Sequence, residues 1–194
     1  MIRQNTKNHL LENWLNNKFN LVEKEITKWA FMRCRPNHKL EINFIDGSKG
    51  GYQGVGFEGS PQEIFWSDKY IPEYVKIYIL EGIDYAIDSA KKYDSNPNSW
   101  LEDFLKIVPP LIDKTYDRMI EIESRLLGDG FNPAKSNNSH KNKFLSLKCY
   151  LEDVVKGRKL STPEIIYWWI KKYQLILGVL VASFIAYLFR NVLN

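Results

Sequence analysis

From about Lys7 to Arg33 the apolar residues Leu11, Trp14, Leu15, Phe19, Val22, Ile26, Trp29 and Ala30 recur at steps of three and four, and Glu12, Lys18, Glu23, Glu25 and Lys28 occupy the other faces. This periodicity predicts a long amphipathic helix. Pro36 cannot continue it and biases Arg35 towards extended geometry, so Arg33 to His38 reads as a helix end and turn. Leu40, Ile42 and Phe44 then alternate with Glu41 and Asn43, and a glycine-rich run precedes Tyr52, Val55 and Phe57. The period of two predicts a small hairpin over about 40–58. Its tip, Gly47-Ser48-Lys49-Gly50-Gly51, lacks the spacing of a phosphate-binding loop and has no strand-to-helix frame, so a plain turn is expected.

Pro61 to Tyr70 reads as an aromatic-bearing connector. Ile71-Pro72-Glu73 opens a second helix to about Tyr93, with Val75, Ile79, Ile83, Ala86 and Ala90 on its inner stripe. A turn cluster over 94–99 leads to a short helix from Trp100, stopped or kinked at Pro109-Pro110. A further helix runs from about Leu111 to Leu127, with Ile112, Tyr116, Met119, Ile120, Glu123 and Leu127 giving its repeat and Gly128-Asp129-Gly130 its stop. Residues 132–142 are nearly devoid of apolar side chains and are expected to form an exposed, mobile loop. Phe144, Leu147, Leu151, Val154 and Val155 mark another amphipathic helix, and Ser161-Thr162-Pro163-Glu164 carries the hydroxyl, proline and acid of a helix start.

The last segment breaks the pattern. Tyr173 to Phe189 carries no formal charge, and from Leu175 onward it is almost wholly apolar. At about 1.5 Å per residue it covers roughly 25 Å, near the lower limit for a hydrocarbon core of about 30 Å. Trp168, Trp169, Lys171, Lys172 and Tyr173 on one side and Arg190 on the other have the character of interfacial anchors. The expected organisation is a helical body over 1–160, with a single membrane-anchoring helix over 161–194. Lys156, Arg158, Lys159, Lys171 and Lys172 precede the span and Arg190 follows it, which places the body on the cytoplasmic side. Leu175 and Phe189 bound the apolar stretch; within it Gly178, Ala182 and Ala186 lie four apart, with Ser183 beside them, a spacing that lets helices approach closely and favours a homo-oligomer in the lipid bilayer.

Composition agrees with a polar body compensating one apolar segment: 26% of residues are charged and the formal net charge is +4. That balance is too mild to argue for nucleic acid and is compatible with anionic headgroups. Cys34 and Cys149 stand apart from any CxxC spacing and read as free thiols. His9, His38 and His140 do not combine with them into a metal-ligand spacing, so neither a metal nor a cofactor is expected. Paired acids such as Glu102-Asp103 and Glu152-Asp153 read as solvated helix faces.

One constellation carries candidate chemistry. In Arg33-Cys34-Arg35-Pro36-Asn37-His38 an arginine precedes a histidine by the spacing of the Rx4-6H signature. The segment resembles the active-site motif of HEPN domains, helical proteins many of which are metal-independent RNases. The resemblance implies Arg33 and His38 as a catalytic pair, the imidazole moving the proton of an attacking 2′-hydroxyl and the guanidinium stabilising the phosphate. Cys34 replaces the polar residue that usually follows the motif arginine, and Pro36 interrupts the helix that normally bears the pair.

A helical body, a divergent Arg-His motif and one membrane segment together resemble the membrane accessory proteins encoded beside the RNA-guided RNase of type VI-B CRISPR systems. The expected fold is a mainly α helical bundle with a small hairpin insertion, and the resemblance implies that the bundle is HEPN-like. It also implies a homo-oligomeric, pore-like assembly that permeabilises or depolarises the bacterial inner membrane in antiphage defence, coupled functionally to an RNA-guided RNase. Two alternatives stand beside it: a membrane-tethered HEPN-type RNase acting on RNA, and a tail-anchored adaptor without catalysis.

Overall fold

The computed structural model describes residues 4–32 and 39–192, and they form a mainly helical protein with one small hairpin. The chain divides into two units, Met1–Arg158 and Lys159–Asn194.

In the first unit, helix α1 (Gln4–Thr27) is completed by a 3-10 turn over Lys28–Phe31. Leu11, Leu15, Phe19, Val22 and Ile26 are all buried, one face of the helix along its length. Strands β1 (Lys39–Asn43) and β2 (Lys49–Gln53) pair antiparallel, with Leu40 opposite Tyr52 and Ile42 opposite Gly50. Leu40 and Ile42 are buried, as their alternation requires. The connecting turn is a plain one. Gly47 adopts φ +85°, and the Ser48 N–H and hydroxyl both donate to Asp46 Oδ1, at 2.8 and 2.6 Å.

The stretch expected as a connector contains a short helix, α2 (Ser60–Phe65). Pro61 stands in its first turn, and Phe65 with Trp66 is buried. Six residues are too few to display a helical period, so the element is invisible to pattern reading. Its aromatic residues join a cluster around Trp29, which is fully buried and has Phe65 at 5.1 Å, Phe57 at 6.0 Å, Tyr70 at 6.1 Å and Tyr52 at 6.3 Å between ring centroids.

Helix α3 (Ile71–Lys92) starts at its Pro-bearing first turn and buries Val75, Ile79, Ile83, Ala86 and Ala90, the stripe expected of it. Helix α4 (Pro97–Leu127) corrects the sequence reading in one respect: it is a single α-helix, and Pro109 and Pro110 lie inside it. The prolines withdraw N–H donors from the carbonyls of Leu105 and Lys106. Lys106 is exposed and Leu105 half-buried, so water can reach that side of the helix. Phe104, Val108 and Ile112 are fully buried and carry the packing through the interruption. Tertiary burial thus outweighs the local stop signal.

Helix α5 (Pro133–Arg158) is the second correction. The segment 132–142, expected as a loop, is helical from Pro133 onward and continues into the buried stripe Phe144, Leu147, Leu151 and Val155. A proline at the first helical position begins the element well, and docking of the downstream stripe sustains a composition that is a poor helix former by itself.

The second unit is one helix, α6 (Thr162–Val192). At its start the Ser161 backbone N–H and hydroxyl both donate to Glu164, at 2.8 and 2.7 Å, so the carboxylate half of a capping box is formed while the hydroxyl serves as a donor. Two arms, Thr162–Lys171 and Gln174–Ala186, meet at a bend of 72°. Among the described residues no single helix is long and apolar enough to cross a membrane; the two arms of α6 reach that composition only together.

Candidate functional site

The Arg33 and His38 pair lies outside the described residues, as does Cys34. Cys149 is a free, exposed thiol on α5. Among the described residues no group of three or more His, Cys, Asp or Glu side chains is placed to hold a metal ion.

Helix α6 carries the residues expected to meet lipid. Leu175, Ile176, Leu177, Val179, Leu180, Val181, Phe184, Ile185 and Leu188 are all exposed, with Leu175 85% accessible. Successive positions of a helix point in directions about 100° apart, so this run is apolar on every face. Gly178, Ala182, Ser183 and Ala186 are exposed as well. A Cβ added at Gly178 would meet nothing within 4 Å. At the head of the run the aromatic side chains associate with one another: Trp168 and Trp169 pack edge-to-face at 5.2 Å, and Trp169 stacks on Tyr173 at 5.4 Å with planes 5° apart. Lys171 beside them is exposed. The side chains of Lys172, Phe189 and Arg190 lie outside the described set.

A second site was not visible in the sequence. A cleft of about 610 Å³ opens in the first unit between α2, the end of α4 and the start of α5, and its lining includes Gln62, Trp66, Glu123, Phe131, His140 and Lys143. At its floor Glu123 is fully buried, and its Oε1 accepts from the Trp66 indole N–H at 2.9 Å and the Gln62 amide at 2.8 Å. Two donors on one oxygen compensate much of the loss of water. The imidazole of His140 lies flat on Trp66, with centroids 4.0 Å and planes 9° apart. Its Nδ1 is buried without a hydrogen-bond partner among the described residues. Burial holds the ring below the ordinary histidine pKa, Glu123 works in the opposite direction, and Lys143 adds to the depression. Lys143 donates to the Trp66 carbonyl at 2.7 Å and pairs with Asp68 at 3.3 Å.

One signal could have pointed here. Glu123 occupies the apolar stripe of α4 between Met119 and Leu126, where an acid has no place unless something inside the fold receives it. His140 gave no such signal, because its partner Trp66 is remote in sequence.

No family profile, curated protein or solved structure matches this chain.

Proposed function

We propose that this protein is a membrane effector: α6 embeds in a lipid bilayer and self-associates, gathering the helical bodies into an assembly that permeabilises the membrane. The observation that carries the reading is the exposed, all-round apolar run from Leu175 to Leu188. A helix apolar on every face needs either a protein interior or hydrocarbon around it. Each such side chain gains about 1.5–3 kcal/mol on leaving water. The stacked Trp168, Trp169 and Tyr173 stand where the chain would cross the headgroups, and Lys171 can reach back to phosphate. The stretch from Leu175 to Phe189 spans only about 22 Å at about 1.5 Å per residue, so tight insertion calls for local thinning or for the anchors to follow it inward.

Self-association is supported by Gly178, Ala182 and Ala186, whose spacing leaves one side of the helix open to close approach. The finer reading, permeabilisation or depolarisation of the bacterial inner membrane in antiphage defence beside an RNA-guided RNase, draws on the resemblance to the type VI-B accessory proteins. Catalysis by Arg33 and His38 belongs to the RNase alternative.

Flotation with anionic liposomes, combined with release of an entrapped dye, tests the proposal. The protein is expected to float with the vesicles and to release dye. Flotation with full retention of dye would overturn the permeabilising role and leave a tethered adaptor; failure to float would overturn membrane attachment itself.

A further inference from the structure

The start of α5 is held to Trp66, the residue that ends α2, by two side chains a turn apart. His140 covers the indole ring and Lys143 holds the backbone carbonyl. The two contacts differ in their response to pH. An imidazole changes charge within the physiological range, and the contact through Lys143 has no such group.

We propose that His140 is a proton-sensitive latch: uptake of a proton by its ring releases the start of α5 from Trp66 and opens the cleft above Glu123. The geometry supplies the reason. The His140 ring is stacked on a buried indole, and its Nδ1 is itself buried with no hydrogen-bond partner among the described residues. In the neutral ring that nitrogen can remain a bare acceptor, a tolerable loss. In the cation both nitrogens carry protons, and a charged N–H directed into a space without an acceptor is a far more costly arrangement than a bare lone pair.

The surroundings act in both directions. Lys143, one turn along α5, opposes a second positive charge. Glu123 from α4 favours one, as does the π face of Trp66, and Glu58 and Glu63 line the cleft from the α2 side. Asp68 is engaged with Lys143 and Tyr116 is a neutral phenol packed near Trp66. Glu123 already spends one oxygen on Trp66 and Gln62, so it offsets only part of the desolvation. Burial is the largest influence on His140 and holds its proton affinity down. The ring therefore binds a proton more readily when unstacked, and by linkage acid favours the unstacked state. This latch stands on the geometry of the first unit and does not rest on the membrane reading.

Hydrogen exchange of the full-length protein in detergent, read over the segment containing residues 131–143, tests it. After correction for intrinsic rates, exchange in the wild type is expected to rise on going from about pH 7.5 to about pH 5, approaching tenfold per unit across the window where only the released ring is charged. His140→Phe keeps a flat ring on Trp66 and cannot titrate, so its exchange should stay unchanged over the same range. An equal rise in His140→Phe, or no rise in the wild type, would overturn the latch. Titration of the His140 ring by NMR provides an independent measurement in the wild type: a midpoint below the ordinary 6.5 is expected, and one above it would mean that protonation tightens the contact, sinking the proposal.

Discussion

The Lys7 ammonium and the Asp103 carboxylate form an ion pair that ties α1 to α4, with side chains only 4% and 9% exposed. Lys7 also donates to the Ser99 hydroxyl at 2.8 Å and its carbonyl at 3.3 Å, and Lys106 supports Asp103 from the solvent side at 3.3 Å. Breaking such a pair on one side leaves a buried charge poorly compensated, whereas removing both sides replaces it with packing. Lys7→Met is therefore expected to lower unfolding free energy by about 3 kcal/mol, and Lys7→Met combined with Asp103→Leu by clearly less. Urea titrations of the two variants compare the losses; a larger loss in the double variant would show the pair to be a net stabiliser.

Gly82 on α3 packs closely against side chains of α4 and α1. A Cβ there would lie 2.6 Å from Phe104 Cε2 and 3.1 Å from the Trp14 ring. Phe104 is fully buried and has no room to retreat, while Trp14 is held by its stack on Tyr85, at 5.2 Å. Gly82→Ala should destabilise by about 1–3 kcal/mol through overpacking, in spite of alanine's better helix propensity. A thermal melt settles the sign, and a raised midpoint would mean that the Trp14–Tyr85 stack yields.

Glu123 and its donors make a third case. Glu123→Leu strips the buried Trp66 N–H of its acceptor and should cost about 1–3 kcal/mol beyond any change in packing. Glu123→Gln retains a carbonyl oxygen of the same reach and should recover most of that loss. Equal denaturation midpoints for the two variants would show that the indole hydrogen bond contributes nothing.

The helices that could be read along the chain are those whose burial follows one strict stripe. In α1 and α3 the residues at three- and four-step spacing are the ones inside, so α1 and α3 and their inner faces were legible. The hairpin was legible for the same reason at period two, with Asp46 and Gly47 marking its turn. What escaped was decided by contacts distant in sequence. Phe104, Val108 and Ile112 carry α4 across two prolines, and Phe144 and Leu147 sustain α5 through a polar start. Of the repeat expected for α4, Ile112, Met119 and Glu123 are buried, whereas Tyr116, Ile120 and Leu127 are only half-buried, and Thr115, Ile122 and Leu126 complete the inner face. Of the candidate residues, the apolar run of α6 was plain from composition. The cleft was not, because Trp66, Glu123 and His140 meet only once α2, α4 and α5 have packed.

Alkaline pH should loosen the aromatic cluster. Burial, reinforced by Glu25, Tyr78 and Asp46, pushes the Tyr74 phenol up to about 12, and burial raises Tyr70 as well. Tyr74 donates to the Asn43 carbonyl at 2.7 Å, a bond that exists only in the protonated form. A pKa raised in the fold means stability fully present below the ordinary value of about 10 and lost as pH climbs towards 12. The unfolding free energy should thus decline above about pH 10, with Tyr74→Phe declining less steeply by at most about 1.4 kcal/mol per pH unit. Parallel slopes for the two proteins between pH 10 and pH 12 would show that Tyr74 ionises without consequence.

Substitutions in α6 separate insertion from assembly. Leu180 is exposed near the middle of the apolar run, and an aspartate at such a depth costs about 2.5–3.5 kcal/mol. Leu180→Asp should accordingly weaken liposome flotation by roughly 100-fold in apparent affinity. Gly178→Leu adds bulk where an added Cβ meets nothing within the helix's own surroundings, so it should insert as well as the wild type. Its effect is expected on the particle: if Gly178, Ala182 and Ala186 form the contact between copies, the detergent-extracted assembly should shrink and dye release should fall with it. An unchanged particle mass would move the association away from α6 and onto the helical bodies. Unchanged flotation of Leu180→Asp would be more damaging, because the apolar run would then have no part in holding the protein to lipid.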